Sequence, residues 1–134
     1  VVFNRELWSP KNIISTSNAP AAIGPYSQAV EINGILFVSG QIPVNPKTGE
    51  VVNSSIEEAT NQIFQNIGEI LKTAGYTFAD VVKTTVFLTD INNFAAMNGV
   101  YAQYFTEKQP ARSAVAVNAL PKNVPLEIEV IAAK

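Results

Sequence analysis

The chain contains no cysteine, which excludes disulfides, thiol nucleophiles, zinc–thiolate sites and iron–sulfur clusters. It contains no histidine either, so the commonest metal ligand and the commonest acid–base group near neutral pH are both missing. No apolar run is long enough to cross a bilayer as a helix. Positive charge is scarce: nine Lys and Arg stand against eleven Asp and Glu, a formal net charge of -2, whereas a general nucleic-acid binder is normally basic. Arginine occurs only at Arg5 and Arg112. There is no Walker motif, no GxGxxG, no metal-ligand spacing and no Ser-His-Asp set. A catalytic site here has to be built from carboxylates, hydroxyls, Tyr, Lys, Arg and backbone groups.

What is present is the material for a core. A length of 134 residues, 47% of them hydrophobic and 15% charged, makes one domain and excludes a disordered chain. The start at Val1 fits a processed or trimmed product, and residues 1–11 lack the order of a signal peptide. The absence of cysteine is compatible with a cytoplasmic location, with a mitochondrial or other organellar one left open.

Asn33-Gly34 marks a hairpin between Tyr26 and Gly40, because a type I′ turn needs positive φ at both central residues. The run Ile35-Leu36-Phe37-Val38 is continuously apolar, which predicts a strand covered on both faces. Ser54-Ser55-Ile56-Glu57-Glu58 is a helix start. Apolar residues then recur at Ile56, Ala59, Ile63, Ile67, Ile70, Leu71 and Ala74, one face of a helix that Gly75 ends. Val81 to Thr89 is rich in β-branched residues and predicts a buried strand. Asn92 or Asn93 opens a second helix with Phe94, Met97, Tyr101 and Phe105 inward. Two strands follow, near Ser113–Ala119 and Leu126–Ala133. The order β-β-α-β-α-β-β, with a short extra strand near Ile13–Thr16, predicts an α/β two-layer sandwich: a mixed sheet with both helices on one face. The other face needs a cover that so short a chain does not supply, so self-association is expected.

Arg112 lies at the mouth of a strand, on the same face as Ala114 and Ala116. Two small neighbours leave space beside a guanidinium, which is suited to holding a carboxylate or phosphate by two parallel hydrogen bonds. A surface arginine in a weak ion pair fits the same spacing. Glu127 and Glu129 share one face of the last strand. On a solvated face they are ordinary surface charge; in a cleft, burial and mutual repulsion would raise one pKa and make a general base. Gly24-Pro25-Tyr26 sets an aromatic hydroxyl after a rigid turn, or simply starts a strand. Ser39-Gly40-Gln41 lets a ligand approach the backbone closely, or only bends a strand end. Asn98 falls within the second helix, where most asparagines face solvent. Lys83, mid-strand, is a remote Schiff-base candidate and more in keeping with a lysine that reaches solvent or pairs with a glutamate.

In order along the chain, several stretches resemble the RidA family, also called the YjgF or L-PSP endoribonuclease family, of reactive-intermediate deaminases. They are Asn18-Ala19-Pro20-Ala21-Ala22-Ile23-Gly24-Pro25-Tyr26-Ser27-Gln28-Ala29 and Ser39-Gly40-Gln41-Ile42-Pro43 with Thr48-Gly49. Val82-Lys83-Thr84-Thr85-Val86-Phe87-Leu88 with Asp90, Pro110-Ala111-Arg112-Ser113, and Leu120-Pro121-Lys122 with Glu127-Ile128-Glu129 complete them. The resemblance implies an N-terminal tail over residues 1–14 and a RidA-like domain over 15–134. It implies a chorismate-mutase-like fold and a homotrimer with sheets facing inward and a ligand cleft at each subunit boundary. It implies hydrolysis of 2-iminobutanoate and 2-iminopropanoate to 2-oxo acids and ammonia. By motif, Arg112 would hold the substrate carboxylate and Glu127 would orient or activate water. Tyr26, Ser39, Gly40, Asn98 and Ala114 would complete the substrate pocket, Gly40 and Ala114 through their backbone. Ala114 departs from the many members that carry Cys there, which excludes a thiol role. Two other functions attach to this resemblance. One is an endoribonuclease or translation inhibitor, disfavoured by the charge balance and the missing histidine. The other is a non-enzymatic small-acid-binding or chaperone-like trimer.

Overall fold

The computed structural model describes residues 10–134; residues 1–9, with Arg5 and Trp8, lie outside the described residues. The chain runs β1 (Asn12–Ile14), β2 (Ala29–Ile32), β3 (Ile35–Gln41), α1 (Ile56–Ala74), β4 (Val81–Leu88), α2 (Phe94–Tyr104), β5 (Ala111–Ala116) and β6 (Leu126–Ala133). The strands form one six-stranded sheet in the order β1-β2-β3-β6-β4-β5. Among the described residues only β4 and β5 pair in parallel, with α2 as their crossover. This is the expected α/β two-layer arrangement, and β1 is the short first strand, placed at Asn12–Ile14 rather than near Ile13–Thr16.

Local chemistry accounts for the element ends. Asn33 and Gly34 adopt φ of 51° and 77°, so β2 and β3 close through the type I′ turn that the dipeptide favours. At the start of α1 the Ser55 hydroxyl accepts from the Glu58 N–H, satisfying one of the orphan donors of the first turn. Gly75 ends the helix in the left-handed region at φ 84°. There the Gly75 N–H donates to the Lys72 carbonyl and the Tyr76 N–H to the Leu71 carbonyl, a Schellman closure. Two expected boundaries move. The cap ahead of α2 is Asp90, whose carboxylate accepts from the Asn92 N–H, and a short 3₁₀ turn leads into the helix; Asn93 is already helical and makes no side-chain cap bond. Strand β5 spans Ala111–Ala116 rather than Ser113–Ala119, because its sole neighbour β4 ends at Leu88, the partner of Ala116.

Both helices cover one face of the sheet. Leu36, Val38, Val86, Leu88, Leu126, Ile128, Val130 and Ala132 point into that layer and are buried. Ile63, Phe64, Ile67, Ile70 and Leu71 of α1 meet them, together with Met97 and Tyr101 of α2. Phe64, absent from the expected stripe, is fully buried and lies within 6.1 Å, centroid to centroid, of Phe78, Tyr101, Tyr104 and Phe105. Two polar helix residues are buried as well: Asn66 donates to the Val44 carbonyl at 2.9 Å and Thr60 to the Ile56 carbonyl at 2.7 Å.

Among the described residues, nothing covers the other face as the helices cover the first. Alternate residues of the apolar strands emerge there: Phe37 is 46% exposed while its neighbour Leu36 is 0% exposed. Ile13, Ile35, Val82 and Val115 are exposed too. The expectation that Ile35–Val38 is covered on both faces therefore fails within the described residues, whose two α-helices lie on one side, and the buried strand expected over Val81–Thr89 is buried on that side only. Lys83 lies half-buried and donates to the Ser113 hydroxyl across the β4–β5 pair at 2.9 Å, rather than pairing with a glutamate.

Truncating Phe64 to Ala should cost about 3–5 kcal/mol of unfolding free energy in urea denaturation, the usual range for a buried aromatic. The exposed neighbour Gln65→Ala should stay within about 0.5 kcal/mol of wild type. Equal losses at the two positions would show that the aromatic cluster does not organise the α1–α2 contact.

Candidate active site

The expected site residues fall into two groups, and strand register separates them. Thr84 pairs with Arg112 and with Val130, so Arg112 lies on the helix side of the sheet with buried Thr84, Val86 and Leu88. Phe87 pairs with Glu127 and Thr85 with Glu129, which places both carboxylates on the open side. A single chain therefore does not bring Arg112 and Glu127 into one cleft.

On the helix side, the Arg112 guanidinium reaches α2. Its Nη1 donates to Asn98 Oδ1 at 2.6 Å. Its Cζ lies 4.7 Å from the Tyr101 ring centroid and 5.1 Å from that of Phe94, within cation–π range. Ala114 sits half-buried two residues along the same face. Asn98, expected among the substrate contacts, thus has its carbonyl engaged with the arginine. Asn98 takes one Nη1 N–H of the five that a guanidinium carries, and the others could serve a carboxylate.

On the open side, the β3–β6 ladder slips by a residue between Val38 and Gln41. This β-bulge holds Ser39 and Gly40, within the strand end expected at Ser39-Gly40-Gln41. Bulges of this kind re-aim local groups. Gly40 is needed for space rather than for its dihedral freedom: a Cβ there would lie 2.8 Å from Glu127 Oε2 and 2.9 Å from its Cδ. The carboxyl group of Glu127 therefore rests on the Gly40 backbone. It is half-buried, and burial raises its pKa above the ordinary glutamate value, with the negative charge of Glu129 adding to the effect. The pair thus divides: Glu127 has the raised pKa expected of a buried carboxylate, and Glu129 is exposed as ordinary surface charge is.

Tyr26 and Gly40 line a cleft of about 220 Å³ together with Pro20, Ile23, Ile42 and Lys122. Tyr26 is exposed, and its N–H donates to the Gly24 carbonyl at 2.8 Å, the tight turn expected of Gly24-Pro25. The Ser39 hydroxyl donates to the Ser27 carbonyl at 2.6 Å and the Ser39 N–H to the Gln28 carbonyl at 2.9 Å. Ser39 is thus occupied in holding the strand beside Tyr26.

Gln28 is the residue that sequence reasoning missed as a support of the site. It is buried, accepts from the Thr16 N–H at 2.7 Å, and donates to the carbonyls of Thr16 at 3.0 Å and Pro20 at 2.8 Å. One side-chain amide so fastens both ends of the loop that leads to Tyr26. Among the described residues, no group of three or more His, Cys, Asp or Glu is placed to hold a metal ion, and no helix is long and apolar enough to cross a membrane.

Comparison with known proteins joins these observations. Residues 16–134 match the family model described as Endoribonuclease L-PSP. The chain is 56% identical over 124 residues to a RutC family protein of Pyrococcus horikoshii, covering 92% of this chain and 98% of the relative. It is 53% identical over 122 residues to the 2-iminobutanoate/2-iminopropanoate deaminase of Capra hircus, covering 91% of this chain and 89% of the relative. The crystal structure of a Rid family protein of unknown function from Yersinia pestis superposes with a TM-score of 0.91 at 54% identity, covering 93% of this chain and all of the other.

The raised Glu127 pKa has a signed consequence for stability. A carboxyl group that holds its proton more tightly when folded adds stability that is complete below its unfolded pKa and is lost as pH rises through its folded pKa. Glu127→Gln removes the charge but keeps the shape. It should therefore match wild type in urea denaturation at the acidic end and exceed it above the folded pKa of Glu127. A variant less stable than wild type at pH 8 would show that the charged carboxylate is a stabilising group.

Proposed function

The chain belongs to the Endoribonuclease L-PSP family, and we propose that it hydrolyses 2-imino acids such as 2-iminobutanoate and 2-iminopropanoate to 2-oxo acids and ammonia. The observation that carries the proposal is the state of its two charged groups: an arginine held by Asn98 at one N–H and by two aromatic rings, with no carboxylate on it, and a half-buried glutamate whose pKa burial raises. Together they match what a 2-imino acid requires. Arg112 takes the substrate carboxylate by its paired N–H groups. A water seated by Glu127 attacks C2, forming the C–O bond as the C=N π bond breaks toward nitrogen. Glu127, ionised, accepts the first water proton and returns it to the nitrogen; it then takes the carbinolamine hydroxyl proton as the C=O bond forms and the C–N bond breaks, releasing ammonia and the 2-oxo acid, and passes that proton to solvent. The iminium is already electrophilic, so positioning and one acid–base group suffice, without metal or cofactor. The close goat relative bears the name of this activity.

The proposal includes assembly. Arg112 and Glu127 face opposite sides of the sheet, so one substrate can meet both only if a second copy contributes one of them. The exposed apolar residues of the open face, Phe37 and Val115 among them, give that copy a surface to cover. We infer a homotrimer with a cleft at each subunit boundary, working in the cytoplasm.

With 2-iminobutanoate generated in situ by a threonine dehydratase and trapped by semicarbazide, wild type should suppress the trapped product in favour of 2-oxobutanoate. Arg112→Ala should lose about 10²–10³-fold in kcat/KM, as expected for one partner of a charge-assisted pair. Glu127→Gln should lose about 10²–10⁴-fold in kcat, the usual worth of an acid–base group. A folded wild-type assembly that leaves the trapped product undiminished would sink the deaminase proposal.

Phe37→Asp should give smaller particles in sedimentation and abolish turnover, because it sets a charge in the apolar face. Full activity from a single-chain particle would overturn the shared-cleft arrangement.

A further inference from the structure

We propose that Tyr101, with Phe94 beside it, is a positioning residue that sets the Arg112 guanidinium for its carboxylate, an inference that rests on Arg112 being the anchor described above. Arg112 is exposed on an edge strand, next to alanines that cannot confine it. A long side chain in that setting has many rotamers to lose on binding. What confines it comes from α2. Phe94, Asn98 and Tyr101 stand at i, i+4 and i+7, one stripe of the helix, and all three meet the guanidinium.

The Tyr101 ring is itself fixed. Its hydroxyl shares a hydrogen bond with the Thr84 hydroxyl at 2.8 Å, both groups being buried. Thr84 is the ladder partner of Arg112. The register that aims Arg112 toward α2 therefore also places the hydroxyl that holds the ring it lies on. Phe64 and Phe105 confine the ring further, with centroids at 5.8 Å and 4.7 Å. The rings hold the cation at its Cζ and Asn98 takes one N–H, which leaves the other N–H groups for the ligand. A lysine at 112 would have no planar fork to present in this way.

The arginine inventory makes a direct test practical, since Arg5→Lys leaves Arg112 as the only arginine in the chain. In that background the Arg112 Nε–H proton resonance should be displaced upfield by the rings in the absence of any ligand. Tyr101→Leu and Phe94→Leu should each return it toward the position of a free arginine. Each should weaken 2-oxobutanoate binding, read by calorimetry, about three- to thirty-fold, the span of a cation–π contact. Tyr101→Phe, which keeps the ring and its Phe64 and Phe105 neighbours but loses the Thr84 bond, should restore most of both readouts. In an Arg112→Ala background the Leu substitutions should add nothing to the loss of binding. Circular dichroism melts identify folded variants, and Phe94→Leu, at a half-buried site, carries the test if Tyr101→Leu does not fold. An unmoved resonance in a folded Leu variant, equal losses of binding with and without Arg112, or no 2-oxobutanoate binding by wild type would overturn the proposal. Binding that follows this pattern without turnover of the imine would uphold it and remove the deaminase reading alone.

Discussion

A one-residue slip of β5 against β4, or of β4 against β6, would carry every functional side chain on the slipped strand to the other side of the sheet. The register of this three-strand ladder is the constraint on which the rest depends. It sends Arg112 over α2 and Glu127 and Glu129 to the open face. The register is held firmly because the core face permits no alternative: Val86, Leu88, Leu126, Ile128 and Val130 are all buried there, and a slip would exchange them for Lys83, Thr85, Glu127 and Glu129. The cost of burying unpaired carboxylates and an ammonium far exceeds any local preference of β5. The hydrophobic layer between sheet and helices thereby fixes the chemistry on both sides of it.

The same sheet also departs from regularity where the site needs it. The bulge at Ser39–Gly40 takes β3 out of simple alternation just where Glu127 lies across from it. An ordinary residue in place of Gly40 would push that carboxyl group off the backbone. Gln28 then supplies from its side chain the hydrogen bonds that the Thr16–Pro20 loop, which has no ladder partner, lacks from its own backbone. A buried amide with its polar atoms satisfied stabilises one loop conformation, and would be costly if any partner were lost.

Much of this was legible from residues in sequence. Asn33-Gly34 specifies its own turn, Ser55 and Gly75 bracket α1, and the two-residue period puts Arg112 with Ala114 and pairs Glu127 with Glu129. Each of these signals is local, carried by dihedral preference or by spacing along one strand. What was not legible is what distant segments do to one another. No pattern in β6 alone tells that it pairs with β3 and β4, so the opposite placement of Arg112 and Glu127 could not be read. Gln28 has no periodicity to betray that its amide is buried. Phe64 was within reach, since it follows Ile63 and precedes Ile67 by three, and a wider stripe would have included it. The strand end at Ser39-Gly40-Gln41 was legible but the bulge within it was not, because Gly40 weakens a strand in either case.

The separation of Arg112 from Glu127 is itself chemically useful. Were the two within reach in one chain, they would form an ion pair. The guanidinium would pull the carboxyl pKa down, and the carboxylate would occupy the N–H edge that a substrate needs. Kept on opposite faces, each retains what the proposed reaction asks of it. Glu127 meets burial and the like charge of Glu129, both of which favour its proton. Arg112 meets aromatic faces and one neutral amide, which steady a cation without neutralising it. In the proposed assembly a 2-imino acid enters between them with its own carboxylate, which satisfies the arginine before the glutamate of the other copy can. Sheet alternation thus keeps an acid and a base from neutralising each other until the substrate stands between them.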